Sequence, residues 1–331
     1  MRVLLVAIDG GPRQVMAALC CEQGCEFPSR EDLRDDKISS VETYDAMIVG
    51  TSGSEQGRKI EHDFRVTAKK RGVPLVVIED YPGNYQPIEG GDADILIVDC
   101  EFSRKRHLNT LLVKSSIIKV IENPRYDALR QYAQRLNSNN LPSLGVSQKK
   151  SLLWAGQPET EDALKTLTNI LPVLKNYEID VYFKAHPRDK GYHQGAYKHL
   201  FFDCMVDFHD VTKLQLCDVV NQYAPQLIVT HYSSLAIEGG FYGIPSLHVL
   251  FEEAGAPRLL NDKGFSSPPW CVSGAAWAVF DNNAFIKGVE RIFFNDEKRT
   301  ELLKIFEHYF GFDTTAKAVI NVVKSIATKT L

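Results

Sequence analysis

The sequence predicts an α/β protein built from two doubly wound parallel-sheet domains in tandem, followed by C-terminal helices. Short apolar runs alternate with amphipathic stretches along most of the chain. The runs lack the polar–apolar alternation of a half-exposed strand, and a polar Pro- and Gly-containing stretch interrupts the series near its middle. Strands covered by helices on both faces read as continuous apolar runs. A βαβ order closes such strands into parallel sheets. At 331 residues the chain exceeds the usual size of one domain, which favours two.

The first series opens with a strand over Arg2–Ile8. Its apolar run is short for a signal peptide, and Asp9 follows where a small-residue cleavage site belongs. Strands are expected next at Ala46–Val49, Pro74–Glu79, Ile95–Val98 and Ile117–Ile121. Helices are expected at Pro12–Glu22, Glu55–Arg71, Ser103–Leu112 and Tyr126–Leu136. Residues Asn137–Lys150 have linker composition and set the expected domains at 1–140 and 141–331. The second series has strands at Leu152–Trp154, Asp180–Lys184, Leu227–Thr230, Ser246–Leu250 and Ala276–Phe280. Its helices are Glu161–Leu174, Leu214–Asn221 and Ser234–Tyr242, and Asn282 to Lys329 reads as two or three further helices.

Composition narrows the function classes. With 44% hydrophobic and 24% charged residues the chain resembles ordinary globular proteins, and a net charge of -4 does not favour nucleic acid as a partner. No apolar run approaches the ~20 residues needed to span a bilayer. The expected location is the cytoplasm, with peripheral contact at the inner membrane face as the most that the sparse Lys317, Lys324 and Lys329 allow. Seven scattered cysteines without a CxxC pair give neither a disulfide framework nor a zinc knuckle. Cys20-Cys21-x-x-x-Cys25 is expected to be a group of small buried thiols at a helix end. No metal or cofactor is expected.

Parallel sheets bind ligands at the carboxyl ends of their strands, and two such sheets are expected to face one interdomain cleft. The motifs follow strands. Thr230-His231-Tyr232-Ser233-Ser234-Leu235 leaves a strand and opens a helix, with Ser233 or Ser234 as N-cap. That helix end suits a phosphate, and Glu238, one turn further on, suits ribose hydroxyls. An ordinary cap ending at Gly243 and Pro245 has the same appearance. Phe183-Lys184-Ala185-His186-Pro187-Arg188 puts Lys184, His186 and Arg188 in a basic loop suited to a phosphate, or in a solvated turn. Trp154-Ala155-Gly156-Gln157 offers a glycine for close approach and the Gln157 amide for the nucleotide, or forms a plain turn. Glu79-Asp80 end a strand before Tyr81-Pro82-Gly83, where a carboxylate can act as base, nucleophile or electrostatic stabiliser, or serve turn chemistry. Gly10, Gly11, Ser52 and Tyr232 are expected to line the cleft. Neither Asp9-Gly10-Gly11 nor Gly50-Thr51-Ser52-Gly53 is a GxGxxG or Walker loop, which weakens NAD and P-loop readings.

Taken in order, these pieces resemble the bacterial GT-B glycosyltransferases that use CMP-activated acids, the sialyltransferases and Kdo transferases. Glu79-Asp80 resemble their acidic pair, although Tyr81-Pro82 intervene before Gly83. His186-Pro187 resemble their His-Pro motif, Gly156-Gln157 the preceding Gly-Gln, and Ser233, Ser234 and Glu238 the phosphate and ribose helix. The resemblance implies a GT-B-like, metal-independent transferase of polysaccharide biosynthesis that passes a sugar from a CMP-linked donor to a glycan or lipid-linked acceptor. In it, Asp80 is base or nucleophile. A second resemblance, carried by Asn123-Pro124-Arg125-Tyr126-Asp127 and His231-Tyr232-Ser233-Ser234, is to CDP-glycerol glycerophosphotransferases and implies a CDP-linked donor. UDP-sugar 2-epimerases or hydrolases and non-catalytic nucleotide-sugar binders share the architecture and stand as alternatives.

Overall fold

The computed structural model describes residues 1–33, 38–110, 113–114, 117–138, 150–311 and 315–327. The chain forms two compact units, Met1–Ala128 with Phe312–Leu331, and Leu129–Gly311. The expected linker lies almost wholly outside the described residues.

In the first unit, β1 (Val3–Val6), β2 (Cys25–Glu26), β3 (Ala46–Val49), β4 (Leu75–Ile78), β5 (Ile95–Val98) and β6 (Ile118–Val120) form a parallel sheet in the order β2-β1-β3-β4-β5-β6. Helices α1 (Gly10–Leu19), α2 (Glu55–Arg71) and α3 (Glu101–Thr110) connect them. The central strands are buried on both faces, which explains their unbroken apolar sequence. Leu4 and Val6 pack with Phe64 and Ala68 of α2, whereas Val3 and Leu5 pack with Val15, Met16 and Leu19 of α1. Ser54 caps α2 by accepting a hydrogen bond from Gly57 N at 3.1 Å, and Gly72 ends it with φ 70°.

A 3-10 turn at Pro124–Tyr126 leads into α4 (Asp127–Ser138), where the two units divide. In the second unit, β7 (Ser151–Ala155), β8 (Asp180–Lys184), β9 (His209–Asp210), β10 (Leu227–Thr230), β11 (Ser246–Val249) and β12 (Trp277–Val279) form a second parallel sheet, ordered β12-β11-β10-β7-β8-β9. Its helices are α5 (Thr160–Asn176), α6 (Lys190–His193), α7 (Ala196–Asp203), α8 (Leu216–Tyr223), α9 (Leu235–Phe241), α10 (Ala256–Lys263), α11 (Pro269–Val272), α12 (Asn282–Phe293) and α13 (Asp296–Phe310). Side chains of alternating direction feed two cores. Leu152, Trp154, Val181 and Phe183 pack with α5 and α12, and Leu153, Ala155 and Ile228 pack with α8.

The last helix, α14 (Thr315–Ala327), corrects the expected domain assignment. Its Val319, Ile320 and Val323 complete the core beneath β1 and α1, so it belongs with the first unit. Asp127 secures its start, accepting hydrogen bonds from Thr315 N, Thr315 Oγ1 and Ala316 N at 2.9–3.3 Å. A second correction concerns the cysteine cluster: Cys20 and Cys21 are exposed, because α1 ends at Leu19 and the chain then turns through solvent. Among the described residues no helix is long and apolar enough to cross a membrane.

Candidate functional site

Each sheet has a switch point, where the strand order reverses direction and the loops on either side part to leave a crevice. In the second sheet it lies between β7 and β10, with β8 on the far side of β7. The loops after β10, β7 and β8 therefore stand side by side, and these are the three that carry the motifs.

The loops after β7 and β8 meet backbone to backbone. Gly156 N donates to Lys184 O at 2.8 Å, and a Cβ on Gly156 would lie 3.2 Å from His186 N and from Lys184 O. A side chain would wedge the loops apart, which is why glycine stands there. His186 is half-buried, and its Nδ1 accepts a hydrogen bond from Arg188 N at 3.1 Å. An acceptor nitrogen carries no proton, so the proton of the neutral ring sits on Nε2. Burial, and secondarily the Arg188 charge, pushes His186 down to about 4. At neutral pH His186 is thus an uncharged N–H donor. Arg188 is exposed, while Asp189 is fully buried and grips the turn from behind. Its carboxylate accepts from Thr160 Oγ1, Gly191 N, Tyr192 N and Tyr197 Oη.

On the other flank, Thr230 Oγ1 donates to Ala155 O at 2.6 Å and accepts from Ser233 N at 3.2 Å, locking the loop to β7. Ser233 Oγ accepts from Leu235 N at 3.3 Å, whereas the Ser234 side chain makes no cap bond. Of the two candidate capping serines, Ser234 holds the N-cap position without a side-chain bond, and the preceding Ser233 hydroxyl meets the helix start instead; both are half-exposed. Tyr232 and Gln157 are buried. Burial raises the Tyr232 phenol, with the nearby carboxylates Glu159 and Asp262 adding to it. Glu238 lies near enough to Lys184 to stabilise its charge, against the larger effect of burial, which lowers the lysine. Lys184 itself is a correction. Its ammonium donates to the carbonyls of Thr212 and Leu214 and holds the chain after β9 rather than pointing to the crevice.

The first sheet reverses between β1 and β3, which puts Asp9–Gly11 and Thr51–Ser54 at its switch point. Asp9 accepts from Ser54 N at 2.7 Å and from Ser54 Oγ at 2.6 Å. Ser52, expected to line a cleft, is buried. Its hydroxyl donates to Glu61, its N–H bonds the same carboxyl at 2.7 Å, and Ile8 N donates there at 3.3 Å. Burial pushes Glu61 up to about 7, opposed by these hydrogen bonds and assisted by the charge of Asp80. Gly10 is exposed, and Gly11 has no room for a side chain, since a Cβ there would run into Asp80 Oδ2.

Asp80 and Glu79 separate sharply. Asp80 is half-exposed at the end of β4, and its Oδ1 accepts from Thr51 Oγ1 at 2.8 Å and from Asn84 Nδ2 at 2.9 Å. Asn123 Nδ2 bonds the Asp80 carbonyl at 3.0 Å. Glu79, expected at the catalytic edge, turns into the core instead. It accepts from Tyr85 N at 2.8 Å and from Ser103 Oγ, and lies 2.8 Å from His107 Nε2. It anchors the loop that presents Asp80.

Two residues at this edge were not among the expected site residues, although Arg125 lies in the Asn123–Asp127 segment that carried the second resemblance. Asp99 follows β5 as Asp80 follows β4; its Oδ1 is shielded from solvent and accepts no hydrogen bond, and burial with the neighbouring Glu79 pushes it up to about 7. Arg125 stacks on Tyr126 and brings Nη1 within 3.9 Å of the point where a Gly11 side chain would begin. For Asp99 the signal was present, a carboxylate directly after an apolar strand.

No protein-family model matches the chain, and no curated protein sequence matches it. Solved structures do. The UDP-GlcNAc 2-epimerase from Neisseria meningitidis bound to UDP-GlcNAc has a TM-score of 0.65 at 15% identity, covering 98% of this chain and 100% of that one. The S. aureus MnaA–UDP co-structure has a TM-score of 0.65 at 14% identity, covering 99% of this chain and 97% of that one. MurG from Acinetobacter baumannii has a TM-score of 0.60 at 13% identity, covering 98% and 99%. At this identity the likeness shows the fold, which is GT-B-like.

Proposed function

We propose that this protein is a nucleotide-sugar enzyme that acts on a UDP-linked sugar without a separate acceptor, by epimerisation or hydrolysis. The second unit holds the nucleotide, with His186 Nε2–H and the serine loop on the phosphates and Glu238 on the ribose. Asp80 and Asp99 are the groups that exchange protons in this reading. The observation that carries the choice is the pair at the first sheet's carboxyl edge, Asp80 half-exposed and Asp99 pushed up to about 7. Inverting a carbon centre requires one group to remove a proton and another to return one on the opposite face. Two carboxyl groups in different environments, one hydrogen-bonded by Thr51 and Asn84 and one with a shielded, unbonded oxygen, fit that division of roles. Direct inverting transfer needs a single base. The nucleotide in the S. aureus and N. meningitidis structures is a uridine nucleotide, which favours UDP over the CMP- or CDP-linked donors of the sequence reading.

Glycosyl transfer is the second reading, favoured by the His186-Pro187 and Glu79-Asp80 motifs and by the likeness to MurG. One experiment separates them. Purified protein is incubated with UDP-GlcNAc in D2O without acceptor and followed by proton and phosphorus NMR. Deuterium at C2, or release of UDP, supports the proposal; conversion only after an acceptor is added supports transfer; tight UDP binding with neither outcome leaves a non-catalytic binder. Asp80→Asn should lower turnover by roughly 100-fold or more while UDP affinity stays within about threefold.

A further inference from the structure

The loop bearing Tyr232, Ser233 and Ser234 is backed by buried side chains that the proposed chemistry leaves unused. Trp270 Nε1–H of α11 donates to His248 Nε2 at 2.9 Å, and His248 Nδ1 lies 2.8 Å from the carbonyl oxygen of His231. An indole N–H only donates and a carbonyl only accepts, so the two partners leave His248 one protonation state. Its Nε2 is bare, its Nδ1 carries the hydrogen, and the ring is neutral. Burial pushes His248 down to about 4, in agreement with that geometry.

His231 is held at its other end as well. Its Nε2 lies 2.8 Å from Thr166 Oγ1 of α5, and its ring meets Trp154 of β7 edge-on, with centroids 5.5 Å apart. Gly255 closes against the same ring, since a Cβ there would lie 3.0 Å from His231 Cδ2. His231, His248 and Trp270 are each at most 2% exposed, so no water competes for these bonds. A buried carbonyl left without its donor costs more than the bond it lost.

We propose that His248 and Trp270 are positioning residues for the nucleotide loop, orienting the His231–Tyr232 peptide through the His231 carbonyl and with it the hydroxyls of Ser233 and Ser234. This rests on the loop's role in nucleotide binding. The relay joins α11 to the site, although α11 contributes nothing to the motif in sequence.

The test compares His248→Ala, His248→Asn and Trp270→Phe. His248→Ala should weaken UDP binding by about tenfold in calorimetry and raise KM more than it lowers kcat. His248→Asn, whose amide restores a donor near the Nδ1 position, should recover most of that loss. A purely structural role would lower the melting temperature of all variants without this rescue in affinity. Trp270→Phe removes only the N–H from a ring of similar shape and should weaken binding by about threefold. It carries the test if His248→Ala does not fold. Wild-type UDP affinity in folded His248→Ala, or in Trp270→Phe in its place, overturns the proposal. If the wild-type protein binds no nucleotide, the functional reading falls, and amide exchange of residues 232–237 decides the relay. Faster exchange in the variants supports it, and unchanged protection overturns it.

Discussion

His186 offers a sharp test, because the structure assigns both its charge and its direction. With Nδ1 accepting from Arg188 N at 3.1 Å, adding a proton there would break that bond, and the ring is pushed down to about 4. At pH 5.5 such a group is about 3% protonated, whereas an unperturbed imidazole would be about 90% protonated. If His186 binds the nucleotide as proposed, it should do so as a neutral donor at constant strength between pH 5.5 and 8. A hydrogen bond to a charged phosphate oxygen contributes about 1.5–3 kcal/mol, so His186→Ala should weaken UDP binding by roughly 10- to 100-fold. His186→Gln, with an amide N–H near the Nε2 position, should lose far less. Calorimetric titrations of wild type and both variants with UDP at half-unit pH steps supply the measurement. The wild-type-to-variant ratio cancels the nucleotide phosphate's own titration near pH 6. A ratio that falls as pH rises through about 6.5 would show a cationic histidine and refute the assignment.

Three further outcomes follow from the packing. Glu61→Gln should become less destabilising as pH rises from 5 to 8, by up to about 3 kcal/mol, in urea unfolding. The sign follows from the raised carboxyl: between its ordinary value and about 7 the native state binds more protons than the unfolded chain, so wild-type stability from this group falls with pH. A flat difference would mean that Glu61 ionises normally. Asp127→Ala deprives Thr315 N, Thr315 Oγ1 and Ala316 N of their acceptor and should cost about 2 kcal/mol, with faster amide exchange at the start of α14. Unchanged exchange there would rule out the anchoring role. Gly240→Ala drives a methyl into the Phe306 ring, and about 1–3 kcal/mol of stability should be lost. Shortening the ring position with Phe306→Leu should return part of it, and an unaltered melting temperature in the single variant would contradict the close approach of α9 and α13.

The parts of the candidate site that were legible are those set by position along the chain. A carboxylate or a His-Pro directly after an apolar strand must emerge at the sheet's carboxyl edge, and Asp80, His186 and Ser233 do so. The parts that misled are those set by where a neighbouring side chain or carbonyl happens to lie. Glu79 and Asp80 are adjacent in sequence and turn opposite ways, because Ser103 and His107 on α3 wait for one and Thr51 and Asn84 for the other. Ser52 looked like a loop hydroxyl until Glu61, nine residues on, claimed it. Lys184 looked free until the carbonyls after β9 accepted its ammonium hydrogen bonds.

The sequence alone determined the two parallel sheets, ten of their twelve strands (all but the two-residue β2 and β9) and the loops that carry the motifs, since apolar runs, helix periodicity and glycine placement act over a few residues. Tertiary structure alone decided which unit takes the last helix, which residue of each polar pair faces solvent, and which ring nitrogen of His186 or His248 holds the proton. Those outcomes depend on partners that range from two residues away, as Arg188 N is for His186, to 188 away, as Thr315 N is for Asp127, and only folding brings each within hydrogen-bond range.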